Sequence, residues 1–66
     1  MAGNTRGRLK ERFEGIHRNL DWGIVHCQEC IVLIGDMNPH LSAGVKALAE
    51  GTDTLDKCAQ NIYSRL

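Results

Sequence analysis

Apolar and small residues recur along the first half of the chain at Leu9, Phe13, Ile16, Leu20, Gly23, Cys27, Cys30 and Ile34. The steps alternate between four and three residues, which holds one stripe on one face of an α-helix for about four heptads. The same steps connect Leu41, Val45, Leu48, Thr52, Leu55, Ala59, Ile62 and Leu66. Two long helices are therefore predicted, over about residues 6–35 and 39–66.

The segment between them has the chemistry of a turn. Gly35 suits the left-handed position just past a helix end, Asn38 is a good N-cap, and Pro39 fits a first helical position, where a missing N–H costs nothing. Folding the second helix back antiparallel lets the stripes meet in layers whose residue numbers sum to 75, from Ile34 with Leu41 at the loop to Leu9 with Leu66 at the open end. A rod about 40 Å long follows from the helical rise. A competing reading breaks the second helix at Gly51, with Thr52 or Asp53 capping a third. The stripe runs through Gly51 without a shift of register, which favours one helix.

Sixty-six residues make one domain, 1–66, and a single hairpin of this size has a thin core. The flanks offer a second surface. Beside the stripe of the second helix lie His40, Gly44, Ala47, Gly51, Thr54 and Cys58. The adjoining flank of the first carries Ile24 and Ile31, with Trp22, Val25 and Val32 nearby. Small residues admit a close helix, and exposed aliphatics need cover. The expectation is an all-α antiparallel hairpin that pairs into a homodimeric four-helix bundle or a higher oligomer. Trp22, Ile24, Ile31, Gly44, Ala47 and Gly51 are its expected interface.

Composition excludes several classes. Eight Lys plus Arg balance eight Asp plus Glu, so no overall charge points to nucleic acid or a membrane. The most apolar window, 24–34, contains His26, Gln28 and Glu29 and is too short to span a bilayer. An odd number of cysteines and a polar start without the look of a signal peptide point to a reduced, cytoplasmic protein. The charges separate along the rod. Arg6, Arg8, Lys10, Arg12 and Arg18, with Lys57 and Arg65, outweigh Glu11 and Glu14 and leave the open end at +5; Lys46 stands alone against six carboxylates toward the loop, at −5. Such a protomer associates most easily with its loop beside its partner's termini.

Candidate chemistry is sparse. Cys27-Gln28-Glu29-Cys30 has redox or zinc spacing with His26 adjacent, but both sulfurs fall in the core stripe. Cys58 falls opposite His17, about 15 Å from the pair, so one protomer cannot complete a three-cysteine site. Packing is the expected role, with neither metal nor cofactor. No nucleophilic triad, phosphate loop or facing carboxylate pair is legible, so no enzymatic activity is expected. Arg6, Arg8, Lys10 and Arg12 gather cations at a helix start, against its macrodipole. Solvated, fraying arginines are one explanation, and an anionic partner such as RNA, DNA or a nucleotide is the other. Phe13, the nearby aromatic, sits in the core stripe, which disfavours base stacking. The functional expectation is a small oligomeric interaction or regulatory module that holds a protein partner, with anion binding as the alternative.

Overall fold

The computed structural model describes residues 4–66; Met1–Gly3, counted in the predicted domain, lie outside the described residues. It consists of two helices packed against each other, α1 (Thr5–Ile34) and α2 (Pro39–Tyr63), with no strand among the described residues. The Cα trace measures 54 × 15 × 11 Å.

The turn forms as its residues dictate. Gly35 adopts φ 55°, and its N–H donates to the Ile31 carbonyl at 3.1 Å, which closes the last turn of α1. A β-carbon is disfavoured at that angle. Asn38 Oδ1 accepts from the Leu41 N–H at 3.0 Å, so the side chain satisfies one of the four orphan donors at the start of α2, and Pro39 follows it. The start of α1 is poorer: Asn4 makes no side-chain capping bond, and the first turn holds no acidic residue.

α2 is continuous through Gly51. Just beyond it, the Thr52 and Thr54 hydroxyls donate to the Leu48 and Glu50 carbonyls at 2.8 and 3.0 Å. The helix ends at Tyr63, short of the predicted 66. There the Ser64 and Arg65 N–H groups donate to the Gln60 and Ile62 carbonyls in a tightening last turn.

The axial register obeys the predicted sum. A β-carbon on Gly23 would meet the Thr52 methyl at 3.8 Å. His17 bonds to Asp56 and approaches Gln60, residues that straddle the predicted level of Cys58. Tyr63 bonds to Glu14.

The rotation of the helices differs from prediction. One half of each expected stripe does line the interior: Phe13, Leu20, Cys27 and Ile34 on α1, with Val45, Thr52, Ala59 and Leu66 from the second half of the chain, are buried or half-buried. The other half of each stripe is displaced. Ser42, Ala49, Asp56 and Tyr63, not Leu41, Leu48, Leu55 and Ile62, are the half-buried companions on α2. On α1 the corresponding row is Lys10, Ile24 and Ile31, half-buried, with His17 in the same row exposed but bonded to Asp56, and Leu9, Ile16 and Cys30 are exposed. The reason is steric and polar together. Ser42, Ala49 and Ala59 are small enough for close helix approach, and the cross-helix bonds of His17 and Tyr63 hold that rotation. Cys27 alone among the described residues is buried, at 7% exposure.

Candidate interaction surface

Each helix thus carries three adjacent seven-residue rows: a central row, a seam row facing the other helix, and an open row. The open rows are Leu9, Ile16, Gly23 and Cys30 on α1, and Leu41, Leu48, Leu55 and Ile62 on α2. The His17–Asp56 bond joins the two seam rows on one side of the hairpin. Because the helices are antiparallel, their senses of rotation mirror each other, and both open rows fall together on the opposite side. The result is an apolar strip running the length of the rod, thinned at half-buried Gly23, with Leu48 and Leu55 exposed by 62% and 61%.

The rod is also large in surface for its mass. The hairpin exposes 5230 Å², whereas a compact monomer of 7.3 kDa exposes about 4,200 Å² by surface-to-mass scaling. The excess of about 1,000 Å² is of the order that one partner contributes to a stable interface, about 800 Å².

The seam side is polar. His17 Nδ1 lies 2.9 and 3.0 Å from the two Asp56 carboxylate oxygens, and the Gln60 side-chain amide is 2.9 Å from the same nitrogen. A carboxylate only accepts, so Nδ1 carries the hydrogen, and the amide must turn its oxygen to the ring to share it. Tyr63 Oη donates to Glu14 Oε1 at 2.9 Å. This bond, then desolvation and the Glu14 charge, raise the Tyr63 pKa above its ordinary value. Glu14, His17, Gln60 and Tyr63 border a shallow cleft of about 320 Å³ together with Phe13, Arg18 and Ala59. Both bonds cross between helices, so the cluster fixes register and rotation. Sequence reading missed it because it lies one helical step off the apolar stripe; the signal available was that the numbers of His17 and Asp56, and of Glu14 and Tyr63, fall within two of the sum of 75.

The predicted interface residues divide. Ile24 and Ile31 are half-buried in the seam row. Trp22, Gly44, Ala47 and Gly51 are exposed, with nothing within 4 Å of a β-carbon built on Gly44 or Gly51. Trp22 lies against His26, ring centroids 6.0 Å apart. The cysteine pair splits as well. Cys27 is buried but Cys30, expected in the core, is exposed on the open row, as is Cys58 elsewhere on α2, and all three are free thiols. Among the described residues no three His, Cys, Asp or Glu side chains converge as a metal site would require.

Arg6, Arg8 and Arg12 are exposed along the first turns of α1, with Lys10 half-buried among them. Among the described residues, the salt bridges formed are His17–Asp56, His26–Glu29 and Lys57–Asp53, none of which uses these four cations. No helix among the described residues is long and apolar enough to cross a membrane. Compared with protein-family models, curated proteins and solved structures, the chain matches none of them.

Proposed function

We propose that the chain is a non-enzymatic interaction module whose working form is a homodimeric four-helix bundle, closed by burying the open strip of one hairpin against that of another. The carrying observation is the placement of the largest aliphatic side chains. Leu41, Leu48, Leu55 and Ile62 face outward from the hairpin while Ser42, Ala49 and Asp56 face its seam. In a four-helix bundle the centre lies between the two hairpins, and a 3–4 stripe points there rather than at the nearest neighbour. The stripe is therefore patterned for four helices. A self-complementary strip with small flanking residues at Gly44 and Gly51 suits a two-fold contact. Val32 and Leu33, each 80% exposed, lie off this strip and leave an outward apolar patch for a protein partner. Sedimentation equilibrium tests the reading: the expected mass is twice 7.3 kDa at micromolar concentration, and a monomer at millimolar concentration overturns it.

Anion binding is a second reading, favoured by the unpaired cations at the start of α1. Its test is affinity for heparin and mixed nucleic acid at low and moderate salt, in the parent and in a variant with Arg6, Arg8, Lys10 and Arg12 changed to Gln. Steeply salt-dependent binding by the parent, weaker and with a shallower slope in the variant, supports it. No binding at low salt removes it.

A further inference from the structure

Resting on the dimer reading above, we infer that the second copy seats on the open strip in reverse, its turn beside the first copy's open end. The evidence is the distribution of side-chain size along the rod. Counted from the open end, the layers are Leu9 with Leu66, Phe13 with Ile62, Ile16 with Ala59, Leu20 with Leu55, Gly23 with Thr52, Cys27 with Leu48, Cys30 with Val45, and Ile34 with Leu41. Bulk is unevenly spread. Gly23 with Thr52 is the thinnest layer, and the two residues sit at one level, since a β-carbon built on Gly23 would meet the Thr52 methyl at 3.8 Å.

A second copy laid with its turn at the same end puts like against like. Two Gly23 and two Thr52 then share one level and leave a void, while the two Leu20 and Leu55 pairs crowd the next. Reversal about a two-fold axis between these layers, which lies midway along the rod, sets Gly23 and Thr52 opposite Leu20 and Leu55 of the second copy. Cys30 with Val45 then meets Phe13 with Ile62, and Cys27 with Leu48 meets Ile16 with Ala59. Every small layer receives a larger one, as dense packing requires.

Charge points the same way from independent residues. The open end carries Arg6, Arg8, Lys10, Arg12, Arg18, Lys57 and Arg65, and the turn end Asp36 with Glu29 and Glu50. Divided at that midpoint, the open half carries +3 and the turn half −3, so reversal sets opposite charges side by side, whereas a same-end dimer stacks like on like. The reversed dimer therefore disperses the cations that the anion-binding reading would need gathered.

Spin labels on a Met37→Cys variant, with Cys27, Cys30 and Cys58 changed to Ala, read the orientation as a distance between the two turns. Reversal predicts a separation on the order of 45 Å, the length of a thirty-residue helix. A separation of about 10 to 20 Å, set by the 8–10 Å spacing of packed helices plus the label, overturns the inference and leaves the dimer standing. A monomeric mass for the unlabelled parent overturns the dimer reading itself. The parent protein supplies a second measurement independent of the substitutions. In a reversed dimer the dissociation constant rises several-fold between low and moderate sodium chloride, as screening weakens end-to-end attraction. A constant that falls with salt signals like ends together and overturns the orientation.

Discussion

Changing Leu48 and Leu55 together to Gln separates the hairpin from the dimer. Within one hairpin these side chains are already about three-fifths exposed, and Leu and Gln differ little in helix propensity, so the isolated fold should lose only the covered two-fifths of each, about 1–2 kcal/mol for the pair. In the dimer they are core. Full burial of a leucine side chain is worth about 1.5–3 kcal/mol, of which about three-fifths, or about 1–2 kcal/mol, remains to be gained here. A two-fold dimer contains four such leucines, and their loss removes about 4–7 kcal/mol of association free energy. At about 1.4 kcal/mol per tenfold, the dissociation constant should rise by roughly three to five orders of magnitude. Sedimentation equilibrium over a concentration series reads this directly, with circular dichroism confirming that helix content persists where both proteins are monomeric. Ala47→Glu is the companion variant. Ala47 projects away from the open strip, so this variant should keep the parent's mass. The opposite pattern, dissociation by Glu at 47 and an unchanged mass with Gln at 48 and 55, would refute the reasoning and move the interface to the Gly44, Ala47 and Gly51 stripe.

Other outcomes follow from individual contacts. Asn38→Ala removes the cap on the Leu41 N–H and should cost about 1 kcal/mol in urea denaturation at fixed protein concentration; an unchanged midpoint shows that the turn holds without it. Toward a thiol reagent, Cys58 should react fast and Cys27 slowly, while Cys30 reacts fast at dilution and slowly where dimer forms; a Cys30 rate independent of concentration counts against the open strip as interface. Tyr63 is the chain's one tyrosine, and its bond to Glu14 favours the neutral phenol. Because its folded pKa is raised, the contribution of this contact to stability is present below pH 10 and is lost as pH rises through the folded value. Phenolate absorbance should titrate above 10 in the parent and return toward 10 in Glu14→Gln; a parent midpoint at or below 10 contradicts the contact.

The helices, the turn and the level of each layer were legible in the sequence for local reasons. Gly35, Asn38 and Pro39 act through neighbouring backbone atoms, and the observed angle and capping bond are those their chemistry implies. The sum of 75 follows from turn length and helical rise alone. Rotation about the helix axes was not legible, because it is a competition between two adjacent rows. The leucine row of α2 is the more apolar, yet the row of Ser42, Ala49, Asp56 and Tyr63 takes the seam. Apolarity marks what is to be buried and says nothing of against which neighbour. For Cys27 and Cys30, three residues apart, that distinction decides between a buried and an exposed thiol.

The same competition explains why a hairpin would leave its leucines outside. Two helices meet along one line, and a pair of leucines placed there holds the axes apart, whereas small residues such as Ala49 and Ala59 on α2, and Gly23 at the level of Thr52 on α1, allow them to close. Close approach brings His17 within bonding distance of Asp56, and Tyr63 of Glu14. Those polar bonds do not supply a core, since each remains open to water on one side and exposed pairs of this kind contribute modestly. They select a rotation. With that rotation set, the α2 leucine row and the Leu9 and Ile16 side chains of α1 share one exposed face, which the proposed dimer would cover. A hairpin whose polar contacts orient it and whose leucine row faces water divides specificity from stability: the first is set within one chain, and on the proposed dimer reading the second is completed by another.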